Sequence, residues 1–223
     1  MLQPVVSVVI PARNEAGTVG AIVQALVDRR EIAEVVVVDD GSIDATATIA
    51  EDAGARVVEA TSGPGKGRAM RQGLCEAKGD LIVFCDADLV HFDPAYATTL
   101  AAALRRNPRA KLAKARYRRA GTGGRVNELV ARPAIELLHP ELAHIAQPLG
   151  GEYAGWRDAF EAIEFEDGYG VDLGILLDLA TRFGPNAIIE VDLGERRHRN
   201  RTLDELRPQA RQVLAVALDR AGR

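Results

Sequence analysis

Short apolar runs alternate along the chain with stretches whose apolar positions recur at helical spacing. Residues 5–10 read as a first strand, ended by Pro11-Ala12-Arg13-Asn14-Glu15. Val19, Ile22, Val23, Leu26 and Val27 then share one helical face. Residues 35–38 form a second strand, closed by Asp39-Asp40-Gly41-Ser42. Asp44 suits an N-cap and Gly54 the residue just past a helix end. Residues 56–59 make a short third strand. A glycine-rich loop over 61–67 carries Lys66, and a helix runs from it to about Lys78, stopped by Gly79. Then Leu81-Ile82-Val83-Phe84-Cys85 runs straight into Asp86 and Asp88, as a central strand covered on both faces does. Pro94 suits the first position of a helix ending near 107–108. This βαβαβαβ order predicts an α/β fold with a parallel, Rossmann-like sheet covered by helices.

The second half is less regular. In residues 111–118, Ala113, Ala115 and Tyr117 alternate with Lys114, Arg116 and Arg118, predicting a half-exposed strand with one basic face. Residues 121–125 are a glycine loop ending in Arg125. Helical spacing resumes through Leu129, Ile135 and Leu138. Residues 148–153 read as a tight loop, and residues 167–172 as another that opens a helix through Leu173, Leu176, Leu177 and Ala180. Gly184-Pro185 ends that helix, and 187–193 form a further strand. After the basic run 196–201, Thr202 and Glu205 make a capping-box pattern for a last helix, with Leu206, Ala210, Val213, Leu214 and Ala217 inward. No linker-like shift in composition interrupts the pattern, so residues 1–223 are expected to form one domain.

Composition changes this picture little. The chain is 47% hydrophobic with a net charge of −4, which gives no global attraction to nucleic acid or membranes. Cys75 and Cys85 read as reduced thiols. No secretory leader precedes the first strand and no apolar run reaches the length of a membrane span, so a cytoplasmic protein is expected. The first strand is not followed by G-x-G-x-x-G, and Gly63-Pro64-Gly65-Lys66-Gly67 lacks Walker A spacing. Ordinary dinucleotide and P-loop readings are weakened accordingly.

The chemistry lies at strand ends. Glu15 follows the first strand, Asp39 and Asp40 the second, and Asp86-Ala87-Asp88 the later one. In open α/β sheets the carboxyl ends of strands are where ligands bind. Carboxylates gathered there suit a nucleotide: one for base or ribose, and a D-x-D to hold a divalent metal against a diphosphate.

The opening V-S-V-V-I-P-A-R-N-E, then V-V-V-V-D-D-G-S-I-D, the G-K-G-R-A loop and D-A-D resemble, in order and spacing, nucleotide-sugar glycosyltransferases of the GT-A fold. The segments G-G-R-V-N-E-L, A-R-P, Q-P-L-G-G-E-Y, G-Y-G-V-D-L-G and R-R-H-R-N-R narrow the resemblance to glucosyl-3-phosphoglycerate synthases, the retaining enzymes of glycosyltransferase family 81. The resemblance implies a nucleotide-sugar half over 1–110 and an acceptor half over 111–223. It implies that Pro11, Arg13, Glu15 and Ser42 line a uridine pocket, with Asp40, Lys66, Asp86 and Ala87 also on the donor side. Asp88 and His198 would hold Mg²⁺ or Mn²⁺. Gly124, Arg125, Val126, Asn127 and Asn200 would cradle the acceptor. Asp172 would sit near the transferred glucose, so that Asp172, Lys66 and Asp86 form the candidate catalytic set. The partners implied are a nucleoside-diphosphate glucose, with UDP-glucose foremost, and a small phosphorylated acid such as 3-phosphoglycerate. A homodimer stays open.

Three departures bear on this. Asn127 stands where the family usually has Thr, Asp172 where it has Glu, and Ala87 where it has Ser. Taken alone, His198 among arginines reads as a surface residue, and Lys66 as a solvated loop lysine. Tyr153 and Trp156 are divided between core and substrate wall. The rival readings are a transferase with a polyprenyl-phosphate acceptor, a nucleotidyltransferase, and a catalytically silent nucleotide-sugar-binding protein.

Overall fold

The computed structural model describes residues 4–61, 63–90, 92–119, 124–196 and 202–222; His198, Asn200 and Gly121 fall outside them. The strands are β1 (Val6–Ala12), β2 (Glu34–Asp39), β3 (Arg56–Glu59), β4 (Leu81–Phe84), β5 (Leu112–Arg119), β6 (Tyr153–Trp156) and β7 (Ile188–Arg196). They form one seven-stranded sheet in the order β3-β2-β1-β4-β6-β5-β7. β1 pairs in parallel with β2 and β4, and β2 with β3. β6 runs antiparallel between β4 and β5, and β7 closes the far edge parallel to β5. The helices are α1 (Val19–Val27), α2 (Thr46–Asp52), α3 (Lys66–Glu76), α4 (Ala95–Arg106), α5 (Arg132–Leu138), α6 (Arg157–Glu161), α7 (Val171–Phe183) and α8 (Leu203–Asp219).

Side chains that alternate along a strand serve two separate cores. Val8, Ile10, Val35, Val37, Leu81 and Val83 pack under α1 and α4, against Ile22, Leu26, Leu100 and Leu104. Val9, Val36, Val38, Ile82 and Phe84 pack under α3 and α7, against Met70, Leu74, Leu173 and Leu176. This is why the strands read as unbroken apolar runs. The second core holds an aromatic cluster: the Phe84 ring lies 5.5 Å from Tyr153, 5.3 Å from Phe160 and 6.0 Å from Phe165. Arg220, just past α8, is gripped through Nε and Nη2 by Asp178 of α7, both at 2.8 Å. It also reaches Glu166 at 2.8 Å. These bonds pin α8 to the sheet-facing helix and to the turn before it.

Several expectations hold in detail. Gly54 follows α2 with φ of +100°, which glycine adopts without strain. The capping box of α8 is formed: Thr202 Oγ1 accepts from Glu205 N, and the Glu205 carboxylate accepts from Thr202 N. Pro94 sits one position earlier than expected, as the residue before α4, and Asp93 Oδ1 accepts from Ala95 N in its place.

Others are corrected. Lys114 is not on an exposed basic face: it is 0% exposed, because its register partner in β6, Tyr153, and the Gly150 carbonyl before that strand pack against its ammonium. Residue 153 does not end a loop; Tyr153 begins β6, whose Tyr-Ala-Gly-Trp sequence lacks the alternation that marks a strand. Leu129 is 72% exposed, since residues 127–131 form a π turn that breaks α-helical spacing. Leu214 also faces out, because Val213, Val216 and Ala217 form the inner stripe of α8.

Gly73 of α3 lies so close to the sheet that a Cβ there would stand 2.3 Å from Val9 Cγ1 and 3.1 Å from Val38 Cγ2. Gly73→Ala is expected to lower unfolding free energy by about 1–3 kcal/mol through overpacking, as read by urea denaturation. Unchanged stability would contradict this helix–sheet approach.

Candidate functional site

The parallel pairing of β2, β1 and β4 brings the ends of these strands to one edge of the sheet. Glu15 N donates to Thr46 Oγ1 at 2.8 Å, and Thr18 Oγ1 donates to the Ala87 carbonyl at 2.6 Å. The loop after β1 is thereby tied to the Asp86-Ala87-Asp88 loop. Asp40, after β2, is buried, and its two oxygens accept from Gly65 N at 3.0 and 2.9 Å. Burial pushes its carboxyl up, opposed by that amide and by the Arg13 charge. Asp40 therefore anchors the glycine-rich loop as well as lining the cleft.

That loop needs its glycines because another turn crosses it. A Cβ on Gly65 would stand 2.5 Å from the Asp167 carbonyl oxygen, and one on Gly67 would stand 1.6 Å from that of Glu166. Gly67 N and Arg68 N donate to the Asp167 carbonyl at 3.0 and 3.3 Å, and Arg68 Nη2 meets Asp167 Oδ2 at 2.8 Å. The start of α3 is thus stitched to the turn that precedes α7.

The stitch places three charges together. Lys66 Nζ, at the start of α3, donates to Asp86 Oδ1 at 3.0 Å and to Asp172 Oδ2 at 2.9 Å. Asp172 lies in the first turn of α7, where the helix dipole favours a carboxylate. Its other oxygen accepts from Tyr153 Oη at 3.1 Å. Burial alone would push the Lys66 ammonium down. The carboxylates of Asp172 and Asp86 outweigh it and hold the group well above the usual lysine range. Burial, with Asp172 beside it, pushes the Tyr153 hydroxyl well up, so it remains a donor. Behind them, Lys114 Nζ donates to the Gly150 carbonyl at 3.0 Å and sits 4.4 Å from the centre of the Tyr153 ring.

These groups open onto a cleft of about 890 Å³. Of the candidates named from the sequence, Pro11, Arg13, Glu15, Asp40, Lys66, Asp86, Ala87, Asp88, Val126 and Asp172 line it, and Gly124 and Arg125 do not. Ser42 does not: its hydroxyl donates to Asp39 and accepts from Asn14 N. Asn127 is 2% exposed and its side chain is used beneath the neighbouring loop. Its amide nitrogen donates to the Ala146 carbonyl at 3.2 Å, and its oxygen accepts from Leu149 N at 3.3 Å. Gly124 takes φ of +78°, and Arg125 follows it half-buried. Sequence reasoning missed Tyr153 as a partner of Asp172, Lys114 as a buried cation, and the wall formed by residues 166–170 and α8. Only the glycines at 65 and 67 signalled that wall, since they mark a close backbone approach.

The carboxylate of Asp88, on the cleft just past the end of β4, is the hard oxygen donor that Mg²⁺ and Mn²⁺ prefer, so the site fits such an ion. Among the described residues no group of three or more His, Cys, Asp or Glu side chains is arranged to hold a metal ion, and His198, the expected further ligand, lies outside them.

The glycosyl transferase family 2 model matches residues 7–161. The glucosyl-3-phosphoglycerate synthase of Mycolicibacterium paratuberculosis is 43% identical over 97% of this chain and 72% of its own length. That of Mycolicibacterium smegmatis is 43% identical over 97% and 78%. The crystal structure of glucosyl-3-phosphoglycerate synthase from Mycobacterium tuberculosis with Mn²⁺, UDP-glucose and phosphoglyceric acid superposes with a TM-score of 0.94. It is 41% identical and covers 98% of this chain and 80% of that one. Another from that organism, with Mg²⁺ and UDP, gives 0.93 at the same identity and also covers 98% and 80%.

Lys66 is the ion-pair partner of Asp172 among the described residues, so its loss leaves that buried carboxylate without an ammonium in hydrogen-bond contact. Lys66→Met is expected to lower unfolding free energy by about 1–3 kcal/mol in urea denaturation. Because the folded-state pKa is raised, this contribution is complete below the unfolded lysine value and is lost only as pH rises through the raised one. The difference between variant and wild type should therefore stay constant over about pH 6 to 9. A difference that vanishes within that range would contradict the arrangement.

Proposed function

The chain belongs to the glucosyl-3-phosphoglycerate synthase family of GT-A glycosyltransferases, and on that premise we propose that it moves glucose from UDP-glucose to 3-phosphoglycerate with a divalent metal. The observation that carries this reading is the convergence of Lys66, Asp86 and Asp172 on one cleft, beside Asp88 and the residues that follow β1. A relative of 0.94 TM-score carries Mn²⁺, UDP-glucose and phosphoglyceric acid. Among the described residues no helix is long and apolar enough to cross a membrane.

In this reading Pro11, Arg13 and Glu15 receive the uridine, with Asp40 fixing the glycine-rich loop over it. Asp88 and His198 would hold the ion, with Asp86 turned to the ribose or sugar. When bound, the ion supplies Lewis-acid neutralisation of the charge that develops on the diphosphate. Lys66 stays protonated and adds a fixed positive charge on the same side of the cleft. Asp172 Oδ2 is held by the Lys66 ammonium and Oδ1 by the Tyr153 hydroxyl, an environment that quenches a nucleophile. This supports transfer with retention by a front-face route. The acceptor hydroxyl attacks the anomeric carbon, the bond to the diphosphate breaks on the same face, and the hydroxyl proton passes to the departing phosphate oxygen.

The acceptor's phosphate and carboxylate would meet the amides after Gly124 and the Arg125 guanidinium, with Asn200 nearby. The Asn127 side chain acts indirectly, by fixing the loop that presents Leu149 at the cleft. We take the whole chain as one GT-A domain working in the cytoplasm on small molecules, without nucleic acid, with a homodimer as the open assembly.

The experiment is transfer from several nucleotide sugars to phosphorylated and neutral acceptors, with Mg²⁺ or Mn²⁺ and with chelator. Transfer from UDP-glucose to 3-phosphoglycerate that chelator abolishes is expected. Arg125→Ala should raise the acceptor KM about ten- to a hundredfold, the worth of a charge-assisted contact, and leave donor affinity alone. Efficient transfer to neutral sugars, indifferent to Arg125→Ala, would contradict the acceptor assignment.

A further inference from the structure

Lys114 is a fully buried cation to which the reaction described above gives no task. Burying an ammonium is costly unless partners replace its water. Two do: Nζ donates to the Gly150 carbonyl at 3.0 Å and stands 4.4 Å from the centre of the Tyr153 ring. The other charged groups that face it are the carboxylates of Asp172, Glu190 and Glu152 and the ammonium of Lys66.

The two contacts bracket residues 150–153, whose opposite side sets the reacting centre. Gly151 lies against the Asp86 carboxylate so closely that a Cβ would stand 2.2 Å from Oδ2. Tyr153 Oη donates to Asp172 Oδ1 at 3.1 Å. Asp86 and Asp172 are the two carboxylates that share Lys66. The loop before this segment has its own anchors: Ala146 N and Gln147 N donate to the Glu190 carboxylate at 3.1 and 2.9 Å. Lys114 is the charged anchor at the end nearest the chemistry.

We propose that Lys114 is a positioning residue for glucosyl transfer: its ammonium holds Gly150 and Tyr153 so that Asp86 and Asp172 meet Lys66 in register. The inference rests on the function proposed above. Burial pushes the Lys114 ammonium down to about 8, against the pull of Asp172, so alkaline titration removes the same charge that mutation would. The maximal rate then falls as pH rises through about 8. Stability moves the other way. The folded pKa lies below the unfolded value of about 10.4, so the cost of burying the charge is present below about pH 8 and relieved between the two. Alkaline unfolding therefore does not mimic the effect.

The test is steady-state kinetics of wild type, Lys114→Met and Tyr153→Phe with UDP-glucose, 3-phosphoglycerate and Mn²⁺ over about pH 6.5 to 9.5, with UDP-glucose affinity from calorimetry. Lys114→Met should lower kcat about ten- to a hundredfold, the scale of a displaced reacting group, leave UDP-glucose affinity within about threefold and abolish the alkaline limb. Tyr153→Phe should lower kcat and keep the limb. Should Lys114→Met not fold, the wild-type limb and Tyr153→Phe still decide the matter. A wild-type rate flat through pH 8, a limb that persists in Lys114→Met, or a loss of donor affinity in place of kcat overturns the inference. Wild-type transfer that ignores Lys114→Met sinks this inference alone. A wild type that transfers nothing to 3-phosphoglycerate sinks the proposed function and this inference with it.

Discussion

The molecule is organised around one ammonium held by two carboxylates from opposite halves of the chain. Asp86 comes from the end of β4 and Asp172 from the first turn of α7, and Lys66 bridges them from the start of α3. A bare carboxylate at the end of a buried strand, or at a buried helix start, is too costly to stand alone. Each is tolerable because the same cation answers both. That constraint explains why the turn before α7 must lie across the glycine-rich loop, and why no side chain fits at Gly65 or Gly67. Within the second half, Arg220 locks α8 to Asp178 of α7 and to Glu166 of the turn that crosses the glycine-rich loop.

The arrangement suits glycosyl transfer better than it suits nucleophilic chemistry. Asp172 is neutralised on one oxygen and hydrogen-bonded on the other, so its role is to orient charge. The two carboxylates hold the Lys66 ammonium well above the usual lysine range, which makes it a source of positive potential near a leaving diphosphate. Asp86 and Asp88 add oxygen donors at the same edge. Shortening the family's usual glutamate to Asp172 is compatible with this, because the Tyr153 hydroxyl and the Lys66 ammonium both reach it at about 3 Å.

Much of this was legible in the sequence, for physical reasons. Strands buried on both faces leave unbroken apolar runs, so β1, β2 and β4 and the carboxylates at their ends could be read directly. Glycines forced by close approach marked the loop around Lys66. What stayed hidden depends on tertiary context. Lys114 shares a face with Arg116 as a solvent-facing lysine would, and only the packing of Tyr153 and the Gly150 carbonyl against it buries it. β6 is four residues without alternation, and its Tyr153 joins the site because an antiparallel strand slots between β4 and β5. The π turn at 127–131 turned Leu129 outward and Asn127 inward, which no α-helical spacing anticipates. The wall supplied by α8 depends on a distant ion pair at Arg220.

The central claim is that Lys66 and Asp172 act as one electrostatic unit across the two halves of the chain. The most direct test is a double-mutant cycle on kcat/KM with Lys66→Met, Asp172→Asn and the pair, using UDP-glucose and 3-phosphoglycerate. The account predicts that the double variant loses about as much as the worse single one, a coupling on the order of 1–3 kcal/mol. Losses that simply multiply would mean that the two residues act independently, and would contradict it.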